Sequence, residues 1–309
     1  MKNNKFKTSI GGQAVIEGVM MRGPQRLATS VRKPDGEIVT DIKPVASVLQ
    51  KNKFLKLPIV RGCVSFIESL VTGVRCLMFS AEFFDTEEEQ PGKFDLWLEK
   101  KFGDKLKDYI IYFSVALSLV LSIGLFIMLP AFIAALFKLE SGMTKTLLEG
   151  TIRILLFIAY LALVSQMNDI KRVFMYHGAE HKSIACFEAG MELTPENARG
   201  CSRFHPRCGT SFLLIVMVIS FFMFLIIPSG TSWLGRVGYR LLLLPVVAGV
   251  SYEIIKFAGR HDNLLTRIIS APGLWLQRLT TREPDDSMLE VAITSLKAVM
   301  PEDKEQAKW

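Results

Sequence analysis

Histidine is scarce. A chain of 309 residues holds four, His177, His181, His205 and His261, so any chemistry that needs an imidazole must use these positions. Cysteine is little commoner: Cys63, Cys76, Cys186, Cys201 and Cys208 are an odd set that cannot all pair internally. The basic start, Met1 to Lys7, has no apolar core after it, so no cleavable signal is expected. Without a secretory context the thiols are expected to stay reduced, which leaves metal binding or plain burial. No internal repeat supports an inverted-repeat transporter.

Charge is missing from several long stretches. Half the residues are hydrophobic and mean hydropathy is +0.31, with apolar runs alternating with strongly charged ones. That pattern means membrane spans rather than an unusually apolar core. Four are expected: about Tyr109–Phe137 with a kink at Pro130, Leu147–Met167, Ser211–Pro228 and Val237–Phe257. Glu149 and Arg153 stand near one end of the second, where they can pair or snorkel. The third has no charge and no polar path, which counts against a channel or transporter.

The net charge of +7 does not point to nucleic acid. Of the 37 Lys and Arg, 18 precede the first span, scattered rather than striped with aromatics. No nucleic-acid partner is expected. Such an excess suits a cytoplasmic face beside anionic lipid. The connection between spans two and three carries Lys171, Arg172, Lys182, Arg199, Arg203 and Arg207, and the tail is basic too. The other two connections hold Lys138 and Lys145, and Arg236. A multi-pass protein of a bacterial inner membrane with both termini cytoplasmic satisfies every loop.

Four regions are expected around this frame. Residues 1–54 form a cytoplasmic β-containing segment, with a hairpin made by Leu27–Val31 and Glu37–Ile42 around Arg32-Lys-Pro-Asp-Gly36. Residues 55–108 hold an amphipathic helix and a solvated linker at Thr86–Gly92; Arg61, Glu68, Arg75 and Glu82 recur every seven residues, which favours an interfacial or re-entrant helix over a span. Residues 109–259 are the four-span domain, with a cytoplasmic His/Cys loop at 168–210. Residues 260–309 begin with an interfacial stretch, Leu264–Leu279, and continue through a short helix candidate at Met288–Met300 to an end expected to fray. The fold class is a mainly α membrane protein with interfacial helices and a small N-terminal β segment.

The histidines all fall in predicted cytoplasmic segments. His177-Gly-Ala-Glu-His181 puts two imidazoles at i and i+4, one turn apart on one helix face, able to grip one ion. Glu180 beside them completes H-x-x-E-H, the inverted zinc-protease pattern, in which the carboxylate takes the proton of a metal-bound water. Cys201-Ser-Arg-Phe-His205-Pro-Arg-Cys208 adds a third imidazole and two thiols at a Pro- and Gly-bearing turn. His177, His181, His205 and Cys208 are the candidate ligands of a divalent metal, zinc first, with Glu180 as general base. The bland alternatives are a polar helix surface, buried thiols, or lipid phosphate bound by His and Arg without metal. Glu17, Arg22 and Gln13 in the glycine-rich N-terminal run are further polar candidates, as are Glu253 one turn inside the last span and His261 beside Asp262. Arg203 and Arg207 can attract an anionic group.

Gly11-Gly-Gln-Ala-Val-Ile-Glu-Gly-Val-Met-Met-Arg-Gly-Pro24, the His177–His181 string and His205-Pro-Arg-Cys-Gly-Thr210 occur in this order, and together they resemble the YqhQ family. This is a bacterial membrane family of unknown function, catalogued as predicted metal-dependent enzymes. The resemblance extends to about Thr281. It implies that His177, Glu180, His181, His205 and Cys208 form one site, with Glu17 or His261 closing it. The expectation is a metal-dependent membrane enzyme, hydrolytic, acting at the cytoplasmic face on a lipid-linked or membrane-protein substrate. The rival is a scaffold, assembly or regulatory factor in which the metal is structural. Expected partners are the bilayer, anionic lipid headgroups and membrane proteins.

Overall fold

The computed structural model describes residues 6–50, 52–84, 106–137, 142–228, 231–261 and 263–308. The linker expected at Thr86–Gly92, and Asp262, lie outside them. Four strands, β1 (Gly11–Val15), β2 (Gly18–Arg22), β3 (Arg26–Arg32) and β4 (Ile38–Pro44), are followed by helices throughout. These are α1 (Val60–Ala81), α2 (Leu106–Ile123), α3 (Leu129–Leu136), α4 (Gly142–Val164), α5 (Asn168–Glu188), α6 (Pro195–Arg199), α7 (Gly209–Phe224), α8 (Trp233–Arg260), α9 (Leu264–Thr280) and α10 (Asp286–Val299). Two compact units result, Met1–Phe84 with Tyr160–Ser220 and Leu244–Trp309, and Asp85–Ala159 with Phe221–Leu243.

In the first unit the strands make an antiparallel meander in chain order. The expected hairpin forms, with Val31 opposite Val39 and Arg32 opposite Ile38, and the run from Gly11 supplies a second hairpin, β1–β2. Strand alternation sends side chains to two buried faces. Val19, Met21 and Ala28 pack with Tyr176, Ala179 and Ile184 of α5 and with Met288, Val291, Ala292 and Leu296 of α10. Val15, Met20, Leu27 and Val31 pack on Cys76 of α1, with Phe79, Phe83 and Phe84 around them.

The end of the chain corrects the expectation of fraying. Helix α10 is wrapped by core on most of its circumference, Ser295 Oγ donates to Ala28 O at 2.9 Å, and Lys308 bridges to Thr8. The short helix expected at Met288–Met300 forms, and a sheet on one side and α5 on another bury its small and medium residues alike.

Among the described residues, four helices are long and apolar enough to cross a membrane: Val60–Ala81, Tyr112–Leu136, Met143–Val164 and Leu234–Arg260. The number matches the expectation, but the set differs. The segment expected to be interfacial is long enough to span, and the expected third span holds the shorter apolar helix Gly209–Phe224. At 1.5 Å per residue that helix covers roughly 24 Å against a hydrocarbon core of about 30 Å, and turns carry the chain on to Ile227. Helix α1 is nonetheless tied to the sheet. Glu68 accepts from Ser47 Oγ and Val48 N, and Ser80 Oγ accepts from Ile16 N. Phe66, Ile67, Leu70, Val71, Val74 and Leu77 form an exposed apolar stripe on another side.

In the second unit a π turn at Gly124–Met128 precedes Pro130, where the kink was expected. Glu149 pairs with Arg240 and approaches Arg236 at 3.5 Å, rather than pairing with Arg153, whose Nε donates to Phe126 O at 2.9 Å. Buried charges in a membrane segment need such partners.

Helix α9 starts at a capping box in which Asn263 and Thr266 bond each other's backbone. It buries Gly273, Leu276, Gln277 and Thr280 and exposes Leu264, Leu265, Ile268 and Trp275, the division an interfacial helix requires.

Candidate metal centre

The site is assembled from α5, the turn before α7 and the end of α9, all in the first unit. Each residue of the His177–His181 string has a distinct surrounding. Ala179 faces the sheet core. Gly178 lies against the carbonyl of Arg282, where a Cβ would stand 2.0 Å from the oxygen. That close approach lets Arg282 N donate to Phe174 O at 2.8 Å and brings the Thr280 carbonyl to His177.

The two imidazoles share one face, with ring centroids 4.4 Å apart. His177 Nδ1 lies 2.7 Å from Thr280 O, and His181 Nδ1 lies 2.6 Å from Arg203 O. A carbonyl only accepts, so both Nδ1 atoms carry the proton, leaving both Nε2 lone pairs free. His177 Nε2 is 3.1 Å from Cys208 Sγ. The ligand atoms of His177, His181 and Cys208 all lie within 4.8 Å of one another. In a tetrahedral zinc site such atoms stand roughly 3.5 Å apart, so a small contraction would close the three on one ion. Two imidazoles fixed by carbonyls and one thiolate are a donor set that suits zinc.

The electrostatics agree with ligation. Burial, then the neighbouring His177, pushes the His181 pKa down, which keeps the ring neutral. Burial would raise the Cys208 thiol, but an imidazolium at His181 and the hydrogen bonds of Thr210 favour the thiolate and bring it below its ordinary value. Glu180 is 4% exposed and burial raises its pKa to about 8. Gly12 N of β1 donates to it, and its Oε2 has no hydrogen-bond partner among the described residues. A Cβ on Gly12 would sit 3.0 Å from the Glu180 carboxyl carbon and 2.5 Å from Met20 O, so the glycine makes room for the acid.

The remaining candidates are placed around this trio. His205 is adjacent, its ring centroid 5.6 Å from that of His181, but its Nε2 faces Arg207 Nη2 at 3.2 Å and Glu188 Oε2 at 3.8 Å. Arg207 also pairs with Glu188 and donates to Thr8 O, so it fastens the turn to α5 and the N-terminal segment. Cys201 packs against the sheet core, with its thiol toward Asn197 O. Glu17 pairs with Arg172 and accepts from Tyr176 Oη at 3.2 Å, fixing the β1–β2 turn to α5. Arg22 reaches Glu68 at 4.0 Å, and Glu253 binds Arg61 through two hydrogen bonds. His261 stacks on Phe257.

Sequence reasoning missed the residues that position the centre. Gln277, fully buried, accepts from His205 N at 2.8 Å and donates to His205 O at 2.7 Å, pinning the turn that carries Cys208. Lys182 Nζ donates to Arg199 O and pairs with Glu283. A buried-face lysine and a glutamine inside an amphipathic helix were the available signals.

The chain belongs to the family described as protein of unknown function DUF1385, whose model matches residues 57–302. Over 308 residues it is 36% identical to the uncharacterized protein YqhQ of Bacillus subtilis (strain 168), covering 97% of this chain and 95% of that protein. No solved structure matches.

Proposed function

We propose that the protein is a metal-dependent membrane enzyme, hydrolytic, acting at the cytoplasmic face of a bacterial cell membrane on a lipid-linked or membrane-protein substrate. The observation that carries the reading is the pair of Nδ1 protons donated to backbone carbonyls, which presents two Nε2 atoms to Cys208. His177, His181 and Cys208 would hold a divalent metal, with zinc the best match to the donors. A bound metal supplies an acidified water. Glu180, whose raised pKa puts proton exchange near neutral pH, would take and return that proton. The cytoplasmic placing rests on the basic residues of the 168–210 segment.

A structural zinc site in a scaffold or assembly factor is the second reading. The burial of His181 and Cys208 favours it, since a closed site ties α5, the turn before α7 and the end of α9 together.

Metal content of the detergent-purified protein tests both. Wild type should carry about one zinc per chain, and a His177→Ala/His181→Ala variant should carry none. No metal in either, after loading under reducing conditions, ends both readings. If metal binds, Glu180→Gln separates them: an enzyme keeps its metal and loses turnover, whereas a structural site is indifferent.

A further inference from the structure

We propose that the second unit encloses a small monovalent anion of the chloride class against Arg236 and Arg240 of α8. The two arginines are four residues apart and so share one helix face. Both reach the same carboxylate oxygen of α4: Arg240 pairs with Glu149 Oε2, and Arg236 Nη2 lies 3.5 Å from it. Arg236 Nη2 also donates to Thr146 Oγ1 at 3.2 Å. Among the described residues neither arginine has another ion pair. Arg240 is fully buried, Arg236 is 2% exposed and Glu149 is 1% exposed. Two cations therefore share one carboxylate out of reach of water, and one positive charge is left over.

Arginine does not shed such an excess by releasing a proton. An unmatched buried charge is strongly unfavourable, above all between apolar helices. The Phe224 ring, 5.4 Å from the Arg240 guanidinium, offsets part of that cost, though Arg153 uses the same ring at 5.0 Å. Arg153 has partners of its own, Phe126 O among them, so the excess rests on Arg236 and Arg240 alone.

Hydrogen bonding leaves the same gap as charge. Arg240 Nε and Nη1 and Arg236 Nε are buried without a hydrogen-bond partner among the described residues. Guanidinium N–H groups only donate, so what is missing is an acceptor. One anion supplies both the acceptor and the negative charge. Enclosure limits its size. Guanidiniums this deeply buried are closed to a lipid headgroup, whereas a single small ion needs little room. Glu149, Arg236 and Arg240 all fall within the first eight residues of their helices, near one end of each apolar stretch, so an ion reaches them from water without crossing the whole hydrocarbon core. The metal centre is in the first unit, and this site needs neither the metal nor the proposed function.

The test uses the full-length protein in neutral detergent at constant ionic strength, with sodium gluconate as the balancing salt. Equilibrium dialysis with radioactive chloride should saturate at about one ion per chain, and the melting temperature should rise with chloride and level off. Arg236→Gln makes the cluster neutral. Its chloride affinity should fall by about tenfold or more, and its melting temperature should no longer depend on chloride. Glu149→Gln doubles the excess and should bind chloride about tenfold more tightly than wild type. A self-sufficient ion triad gives another pattern, in which both variants melt lower and no protein responds to chloride; that result overturns the proposal. If Glu149→Gln is not recovered, wild type and Arg236→Gln decide between the two. Full chloride affinity in Arg236→Gln also overturns the proposal. So does one phospholipid per chain that co-purifies with wild type, is lost from Arg236→Gln and leaves no chloride bound.

Discussion

Gly178 and Gly12 stand on either side of Glu180 and have the same task, to let other groups come close. At Gly178 the visitor is the Arg282 carbonyl, which a Cβ would meet at 2.0 Å. Backbone cannot yield as a flexible side chain can, so Gly178→Ala should push the segment after α9 away from α5 and loosen the Thr280 carbonyl from His177. We expect a loss of roughly 1–3 kcal/mol, read as a lower melting temperature, and weaker zinc binding than wild type. An unchanged melting temperature would mean that α5 and this segment are less closely packed. Glu180 makes the opposite prediction. Its folded pKa of about 8 lies above its ordinary value of 4.5, so the folded state holds this proton more tightly than the unfolded chain does. Its contribution to stability is therefore present at low pH and is lost as pH rises from about 4.5 to about 8. In metal-free protein, Glu180→Gln should flatten that part of the slope and melt higher than wild type at pH 8, by an amount on the order of 1–3 kcal/mol. Parallel melting curves across pH 5–8 for the two proteins would show that Glu180 is not held this way. The ligands were legible because histidine is so rare and the i, i+4 spacing so short. Thr280 and Gln277 were not, since their roles come from a carbonyl and an amide supplied across long stretches of chain.

At the scale of elements, period and composition read the β3–β4 hairpin and the amphipathic α9 well, because each is specified by its own residues. The helix of α10 was expected at Met288–Met300, but its anchoring was not, because its burial depends on a sheet formed more than 240 residues earlier in the sequence. The consequence is testable. A chain stopped after Arg282 keeps every candidate ligand, yet it uncovers Val19, Met21 and Ala28 of the sheet and Tyr176 of α5. We expect it to be recovered in low yield and to bind zinc poorly. Recovery of a stable, metal-binding truncated protein would show that the sheet and α5 hold together without α10. Helix α1 is ambiguous for a different reason. Its charges are spaced widely enough to leave an apolar window of spanning length, and only the contacts of Glu68 and Ser80 with the sheet segment mark it as attached there.

For the molecule as a whole, those contacts can be counted as crossings. The sheet, α5 and α10 share one core, so they lie on the same side of the membrane. Between the sheet and α5 the chain runs through α1, α2 with α3, and α4; an odd number of crossings would put α5 on the wrong side. The α2–α3 segment and α4 are the more apolar of these, with mean hydropathy 2.6 and 2.0 against 1.5 for α1. These two are expected to cross, and α1, whose Gly62 packs on Gly249 and whose Cys63 Sγ donates to Pro245 O within α8, is expected to be re-entrant. Between α5 and α9 the same parity requires α7 and α8 to cross together or not at all. The 27-residue apolar stretch Leu234–Arg260 is long enough to cross, so on this parity the short α7 is expected to cross with it. Topology reporters check this. A fluorescent-protein fusion at Trp309 should be bright, and alkaline phosphatase joined after Ser232 should be active, with a fluorescent-protein fusion there dark. An inactive phosphatase at Ser232 would mean that α7 does not cross. The parity would then break at α8, and the His177–Cys208 centre could not share a compartment with the α9 carbonyl that orients it.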